Sequence, residues 1–404
     1  MENTRLLLII LAYIGAARAC LSLRTDDKWR PLLFSLTNLA FIGIMFSEST
    51  GKRRAVVFLS VYLALVGVHY LVMTLFSKRE GWLPWLAFFS PIIALVLIKY
   101  LPFVWEAPLK SIDLKADGFV GISYMSLRLS YLVLEVRNRV VEKPPFWQYV
   151  GFSFFLPTFV VGPINPYRVH ERSFRRTDRE GISTGRSAMR IIVGVAKYQV
   201  LAPLFNQLSY SGLLLDSYPH PPSDLVVAAV SYYLFLYCNF AGFCDMAIGV
   251  AGLLGIHVRE NFQNPLAARN VRDFWNRWHI TLSDYMRDVV FTPLSKFFIG
   301  RFGIPTNHAI GLAILAVFLL VGIWHGVGWN YLAFGAMHAV GVAANHYYTV
   351  WLKSQGGKRF KAYNENPSVN VVSVVLTFSF VTASFFLFAN DFATMRTILN
   401  AIRW

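Results

Sequence analysis

Two stretches of this chain, Ala309 to Trp324 and Val369 to Ala389, contain no charged residue, and apolar runs of similar length follow one another along the sequence. About 20 apolar residues span the hydrocarbon core of a bilayer as a helix, the form in which every backbone polar group is satisfied within the segment. An all-α, polytopic membrane protein is therefore expected, with ten or eleven transmembrane helices near 4–23, 31–47, 55–76, 82–104, 118–136, 147–165, 187–214, 224–255, 308–326, 328–349 and 369–390. Composition agrees. With 55% hydrophobic, 16% aromatic and 15% charged residues, a chain of 404 residues has too few charges to wet a soluble surface.

The 38 Lys and Arg outnumber the 22 Asp and Glu, for a net charge of +16. These basic residues cluster in loops, as the positive-inside rule and anionic headgroups require. No basic stripe with interleaved aromatics lies outside the apolar runs, so no nucleic-acid partner is expected. Three cysteines, Cys20, Cys238 and Cys244, cannot all pair and imply no disulfide framework. The start of the chain, Arg5, an apolar stretch and then Ala17-Arg18-Ala19-Cys20, superficially resembles a signal peptide. A first transmembrane helix is the simpler reading, because the next apolar run begins at Pro31.

Two connections stand apart. Residues 167–190 carry seven basic and three acidic residues, and 257–301 carry seven and four, so both are expected on the cytoplasmic side. The second interleaves rings and charges in Asp273-Phe274-Trp275-Asn276-Arg277-Trp278-His279-Ile280-Thr281-Leu282-Ser283. Such a pattern fits short re-entrant or interfacial helices lying at the membrane and lining a cavity. One integral-membrane domain is expected, with N-terminal helices over 1–117 and a core over 118–404.

Polar groups at membrane depth are costly, so each needs a partner or a task. Arg128, Glu135, Lys197, Asn239 and Asp245 interrupt apolar segments. For each alone, pairing with a neighbouring helix is the more frequent role, and a direct substrate role is the alternative, with Arg128, Asn239 and Asp245 the candidates for it. His325 ends a long uncharged run in Gly322-Ile323-Trp324-His325-Gly326. It is either a histidine hydrogen-bonded within the bundle or a neutral general base, and Gly322 and Gly326 leave room beside it for a substrate or another backbone. No phosphate-binding loop, dinucleotide fingerprint or His-Glu-x-x-His is present. His338 and His346 could join His325 on a metal, but no carboxylate or cysteine completes a recognisable set, so none is expected. The spacing of His279 and Asp284 matches a short acyltransferase signature of a different architecture, which carries little weight.

The segment from Asn261-Phe262-Gln263-Asn264-Pro265 through Asp273 to Ser283 and Arg287-Asp288, then Trp324-His325-Gly326 and Trp329-Asn330-Tyr331, resembles the membrane-bound O-acyltransferase family. Gly121-Ile122-Ser123-Tyr124, Val161-Gly162-Pro163-Ile164 and the run Asn239 to Asp245 agree with it, so the resemblance covers roughly residues 118–390. The likeness is to its bacterial branch, which handles D-alanyl and acetyl groups of envelope polymers.

This resemblance implies a helical bundle around a tunnel, with His325 as the catalytic residue and His279 as an auxiliary one. Asn276, Trp278 and Trp324 are expected beside them, lining the tunnel, orienting the donor or stabilising the oxyanion. The implied reaction moves a small acyl group from a cytosolic thioester to a hydroxyl of an extracytoplasmic polymer or lipid-linked sugar, at a bacterial cytoplasmic membrane. No tightly bound cofactor is expected. The donor is a phosphopantetheine thioester of an acyl carrier protein or an acyl-CoA, whose phosphates Arg269 and Arg272 are candidates to attract, although lipid headgroups explain those charges equally well. Expected partners are membrane lipids and an envelope-side acyltransferase or accessory protein. A transporter or flippase and a non-catalytic assembly subunit are the alternatives.

Overall fold

The apolar runs do fold as helices, because a helix alone closes its own hydrogen bonds where water is absent. The computed structural model describes residues 2–23, 29–104, 118–174, 182–214 and 219–403. In chain order the helices are α1 (Glu2–Ser22), α2 (Trp29–Thr50), α3 (Lys52–Phe76), α4 (Leu83–Leu95), α5 (Ile122–Arg137), α6 (Phe146–Ser153), α7 (Tyr167–Phe174), α8 (Thr184–Val195), α9 (Ala202–Gln207), α10 (Tyr210–Leu213), α11 (Pro222–Leu253), α12 (Val271–Arg277), α13 (Ile280–Met286), α14 (Thr292–Phe302), α15 (Thr306–His325), α16 (Trp329–Ser354), α17 (Gly357–Glu365), α18 (Pro367–Ala389) and α19 (Phe392–Ala401). Among the described residues there is no β-strand, only isolated bridges between His220 and Ile402 and between Phe262 and Trp278.

Among the described residues, seven helical stretches are long and apolar enough to cross a membrane: Trp29–Thr50, Lys52–Phe76, Leu83–Tyr100, Thr184–Gln207, Pro222–Leu253, Thr306–His325 and Pro367–Ala389. Shorter or more polar elements such as α5 and α16 contribute to the higher expected number. Helix α5 is 16 residues long, and α16 has 26 residues but carries Asn330, His338, Asn345 and His346 along its length. The span expected over 147–165 is not a single helix. It consists of α6, 8 residues or about 12 Å long, then a short 3-10 turn at Leu156–Thr158 and extended chain. Pro157, Pro163 and Pro166 remove the amide protons that a continuous helix would need.

The chain packs as two units, residues 1–193 with 243–259 and residues 194–242 with 260–404. In the first, Tyr13, Ala17, Phe34, Phe155, Phe174 and Leu254 form part of one buried cluster. Asn38 stitches it, accepting from Tyr13 Oη and from the Leu156 amide, each at 2.9 Å. In the second unit, α15 and α16 pack backbone to backbone. A Cβ on Gly322 would collide with the Tyr331 carbonyl, and one on Gly335 with the Phe318 carbonyl. The room beside Gly322 is thus filled by another helix, and that beside Gly326 by the Tyr331 ring.

Candidate active site

The site is built on a short helix that could not stand alone. Helix α12 has 7 residues and is held by side chains at both ends. Asn270 caps it by accepting from the Asp273 amide at 2.8 Å, and Arg277 pairs back to Asp273 at 2.8 Å. After it the chain extends through Trp278 and turns at His279, whose φ of 45° and ψ of 49° place a non-glycine residue in the left-handed region. That geometry costs of order 1 kcal/mol or more and persists only where neighbours fix it.

Asn261 supplies the fixing. It is fully buried, and its Oδ1 accepts from the Thr281 amide at 3.2 Å and the Thr281 hydroxyl at 2.9 Å. The amide can only donate, so Oδ1 is the acceptor and the 3.2 Å contact to His279 Nδ1 is a donation by His279. The neutral imidazole then carries its proton on Nδ1 and a lone pair on Nε2. Burial, reinforced by the neighbouring His325, lowers the His279 pKa from 6.5 to about 3, which keeps it neutral.

His325 is the last residue of α15 and is half-buried. Its ring lies edge-on to Phe388 with centroids 4.9 Å apart and against Phe334 at 6.2 Å. Trp324 joins the two histidines, its ring centroid 4.9 Å from that of His325 and 6.2 Å from that of His279. Phe240 closes on His279 at 4.8 Å, which places Asn239, its neighbour on α11, in the same region of this unit. Trp278 lies in an aromatic layer with Phe262, Phe274 and Phe385, at 5.0, 5.4 and 5.5 Å.

A cavity of about 490 Å³ opens against this assembly. Ile310, Ile314, Val317, Phe318 and Val321 line it as one stripe of α15, about 16 Å long, which ends a turn before His325. The other wall includes Arg272, Trp275 and Asn276 of α12 and Ile280, next to His279. Across α12, a polar recess of about 430 Å³ is lined by Arg269, Arg272, Asn276, Asn345 and Asn370 among others. Arg272 and Asn276, one turn apart, therefore border both spaces. A largely apolar cavity that shares Arg272 and Asn276 with a basic, amide-rich recess has the chemistry to take a linear arm bearing a phosphate at its far end.

Arg128 and Asp245, also considered for a direct substrate role, belong to the first unit and have protein partners there. Arg128 donates to the Phe152 and Ser153 carbonyls at 3.3 and 3.0 Å and to Thr158 Oγ1 at 3.0 Å. It thus caps the carbonyl end of α6. Asp245 forms an ion pair with Arg190 at 2.9 Å, and Glu135 pairs with Arg168 at 2.9 Å. Both nitrogens of His338 are engaged, by Trp275 at 3.1 Å and Ser384 at 2.9 Å. Sequence reasoning gave Asn261 no role at the site. The signal for it was an uncharged polar side chain opening a motif, which burial turns into an anchor.

The model of the membrane-bound O-acyltransferase family matches residues 118–389. The chain belongs to the membrane-bound O-acyltransferase family. It is similar to the teichoic acid D-alanyltransferase of Streptococcus thermophilus, with 28% identity covering 86% of this chain and 90% of that protein. It resembles that of Bacillus subtilis at 25% identity, covering 87% and 89%. The peptidoglycan O-acetyltransferase of Helicobacter pylori is 26% identical over 61% of this chain and 50% of its own length. The protein is therefore an O-acyltransferase of the membrane, and the transporter and assembly-subunit alternatives lose their ground.

Proposed function

We propose that this acyltransferase moves a small acyl group, D-alanyl or acetyl, from a cytosolic thioester to a hydroxyl of an extracytoplasmic envelope polymer or lipid-linked sugar, in a bacterial cytoplasmic membrane. The observation that carries the reading is the pair His279 and His325 on one tryptophan, next to a cavity whose lining includes Ile280, the neighbour of His279, and Val321, one turn before His325. Alignment along nearly the full length of the D-alanyltransferases supports D-alanyl, and the shorter match to the O-acetyltransferase supports acetyl.

In the proposed reaction the donor's arm lies along the α15 stripe with its thioester at the histidines. His325 takes the proton of the acceptor hydroxyl as oxygen attacks the thioester carbon, and returns it to the departing thiolate. A positioned base of this kind is worth about 10²–10⁴-fold. His279, with its proton held toward Asn261, offers a lone pair at Nε2, so it orients an O–H or N–H rather than stabilising an oxyanion. The oxyanion donor is instead an amide such as that of Asn276 at the cavity wall. The donor is a carrier-protein phosphopantetheine thioester or an acyl-CoA, approaching the Arg269 and Arg272 side, and an envelope-side partner receives or presents the acceptor.

The test is mass spectrometry of envelope glycans and lipids from a deletion strain complemented with wild type or with His325→Ala at equal level. An ester mass that disappears on deletion and returns only with wild type supports the reading, and its size distinguishes D-alanyl from acetyl. Its return with His325→Ala sinks the catalytic assignment.

A further inference from the structure

We infer that His338 is a positioning residue for acyl transfer, acting through Trp275 on the segment that carries His279. The inference rests on the reading of His279 given above. His338 lies on α16 with 0% exposure. Indole Nε1–H can only donate, so the 3.1 Å contact makes His338 Nδ1 an acceptor. The proton of the neutral ring is then on Nε2, which donates to Ser384 Oγ at 2.9 Å, and that hydroxyl donates to the Val381 carbonyl at 2.7 Å. Every bond in this chain has one possible direction, so it selects a single tautomer and a single ring orientation.

The chain joins three helices: α12 through Trp275, α16 through His338 and α18 through Ser384. Apolar side chains of similar volume would fill the same space, but they would not set the rotation of α12 about its axis. A directional bond does. That rotation matters because Trp275 forms part of the cavity wall, Trp278 follows one turn later, and His279 comes next in its left-handed conformation. Asn261 holds His279 from the far side, and α12 must hold it from the near side. Phe274 also packs α12 into the buried ring layer, but ring contacts fix no direction, whereas the Trp275 to His338 bond is a hydrogen bond within that layer, where Phe334 lies 4.6 Å and Phe380 5.5 Å from His338. With both nitrogens occupied within the protein, His338 acts through its neighbour and not on substrate.

Two amide substitutions separate positioning from general support. His338→Asn places a carbonyl oxygen near the Nδ1 position and keeps an acceptor for Trp275. His338→Gln reaches the Nε2 position and keeps only the contact to Ser384. Each gives up one buried hydrogen bond, so a purely structural role predicts similar losses for both. The readout is envelope ester by mass spectrometry in the complemented deletion strain, normalised to folded protein measured by size exclusion of a fluorescent fusion. The expected result is that His338→Asn stays within about 3-fold of wild type while His338→Gln falls by about 10-fold or more, a loss typical of one misplaced buried hydrogen bond.

Trp275→Phe removes the donor, leaves His338 in place and serves where the His338 variants fold poorly. It should fall as His338→Gln does, and the double variant should fall no further, because both break one bond. Equal activity of the Asn and Gln variants, wild-type activity of Trp275→Phe, or additive losses overturn the inference. His279→Ala is run alongside. Ester retained there overturns the reading of His279 and this inference with it, whereas ester lost there beside equal Asn and Gln variants overturns the inference alone.

Discussion

Asn261 accepts three contacts through one oxygen, from the Thr281 amide, the Thr281 hydroxyl and His279 Nδ1. Asn261→Ala leaves buried donors unsatisfied at a cost of about 1–3 kcal/mol, and it frees the strained His279 to leave its left-handed conformation. Ester formation per folded molecule should drop at least as far as the melting temperature suggests. A variant that loses stability but keeps full turnover would show that His279 needs no such hold. A second residue reports on acid stability. His170 on α7 is ringed by Phe152, Phe155 and Phe174, and burial, followed by the nearby Arg128 charge, lowers its pKa from 6.5 to about 3. Between those values the unfolded chain binds a proton that the folded chain refuses. The stabilising contribution is therefore complete above pH 6.5 and is lost as pH falls toward 3, by up to about 1.4 kcal/mol per unit. His170→Phe should shrink the drop in melting temperature between about pH 7.5 and pH 5; an unchanged drop would mean that other groups, such as His279, govern it.

At the scale of elements, hydropathy made the long helices legible because a bilayer imposes length and apolarity together. It failed over 147–165, where an apolar composition conceals two prolines, Pro157 and Pro163, that break the helix. It also could not show that α15 and α16 touch backbone to backbone, since a glycine in an apolar run reads equally as a gap for substrate or a seat for a neighbour. His325 was legible as the polar end of an uncharged run, and the family motif pointed to His279. The supports Asn261 and His338 were not, because their meaning lies in contacts across 18 and 63 residues of sequence. The glycine seat is directly testable. Gly322→Ala would push α16 off α15 and displace His325 by way of its own helix, at about 1–3 kcal/mol. Gly67→Ala on α3 meets nothing within 4 Å and should be neutral or slightly stabilising. Equal melting temperatures and equal ester yields for the two variants would refute the close packing as a determinant of the site.

For the whole molecule, the net charge of +16 reads first as attraction to anionic lipid. Arg269 and Arg272 can be separated from that background because they line a recess rather than a flat face. Asp273, the acidic residue in its wall, is already engaged by Arg277 and by the Arg269 amide, which leaves the recess an excess of positive charge. If that charge receives the donor's phosphates, replacing both residues by glutamine should raise the KM for donor by about 10-fold or more while leaving kcat within about 2-fold, since the lost interaction is made equally in the ground and transition states. The effect should shrink as salt is raised, because the contribution being removed is itself screened. A headgroup role predicts a different pattern: donor KM unchanged in detergent, and a deficit that appears only in membranes rich in anionic lipid. Purified protein assayed with both donor classes, in detergent and in liposomes of defined charge, distinguishes the two and shows which donor's KM responds to the arginines.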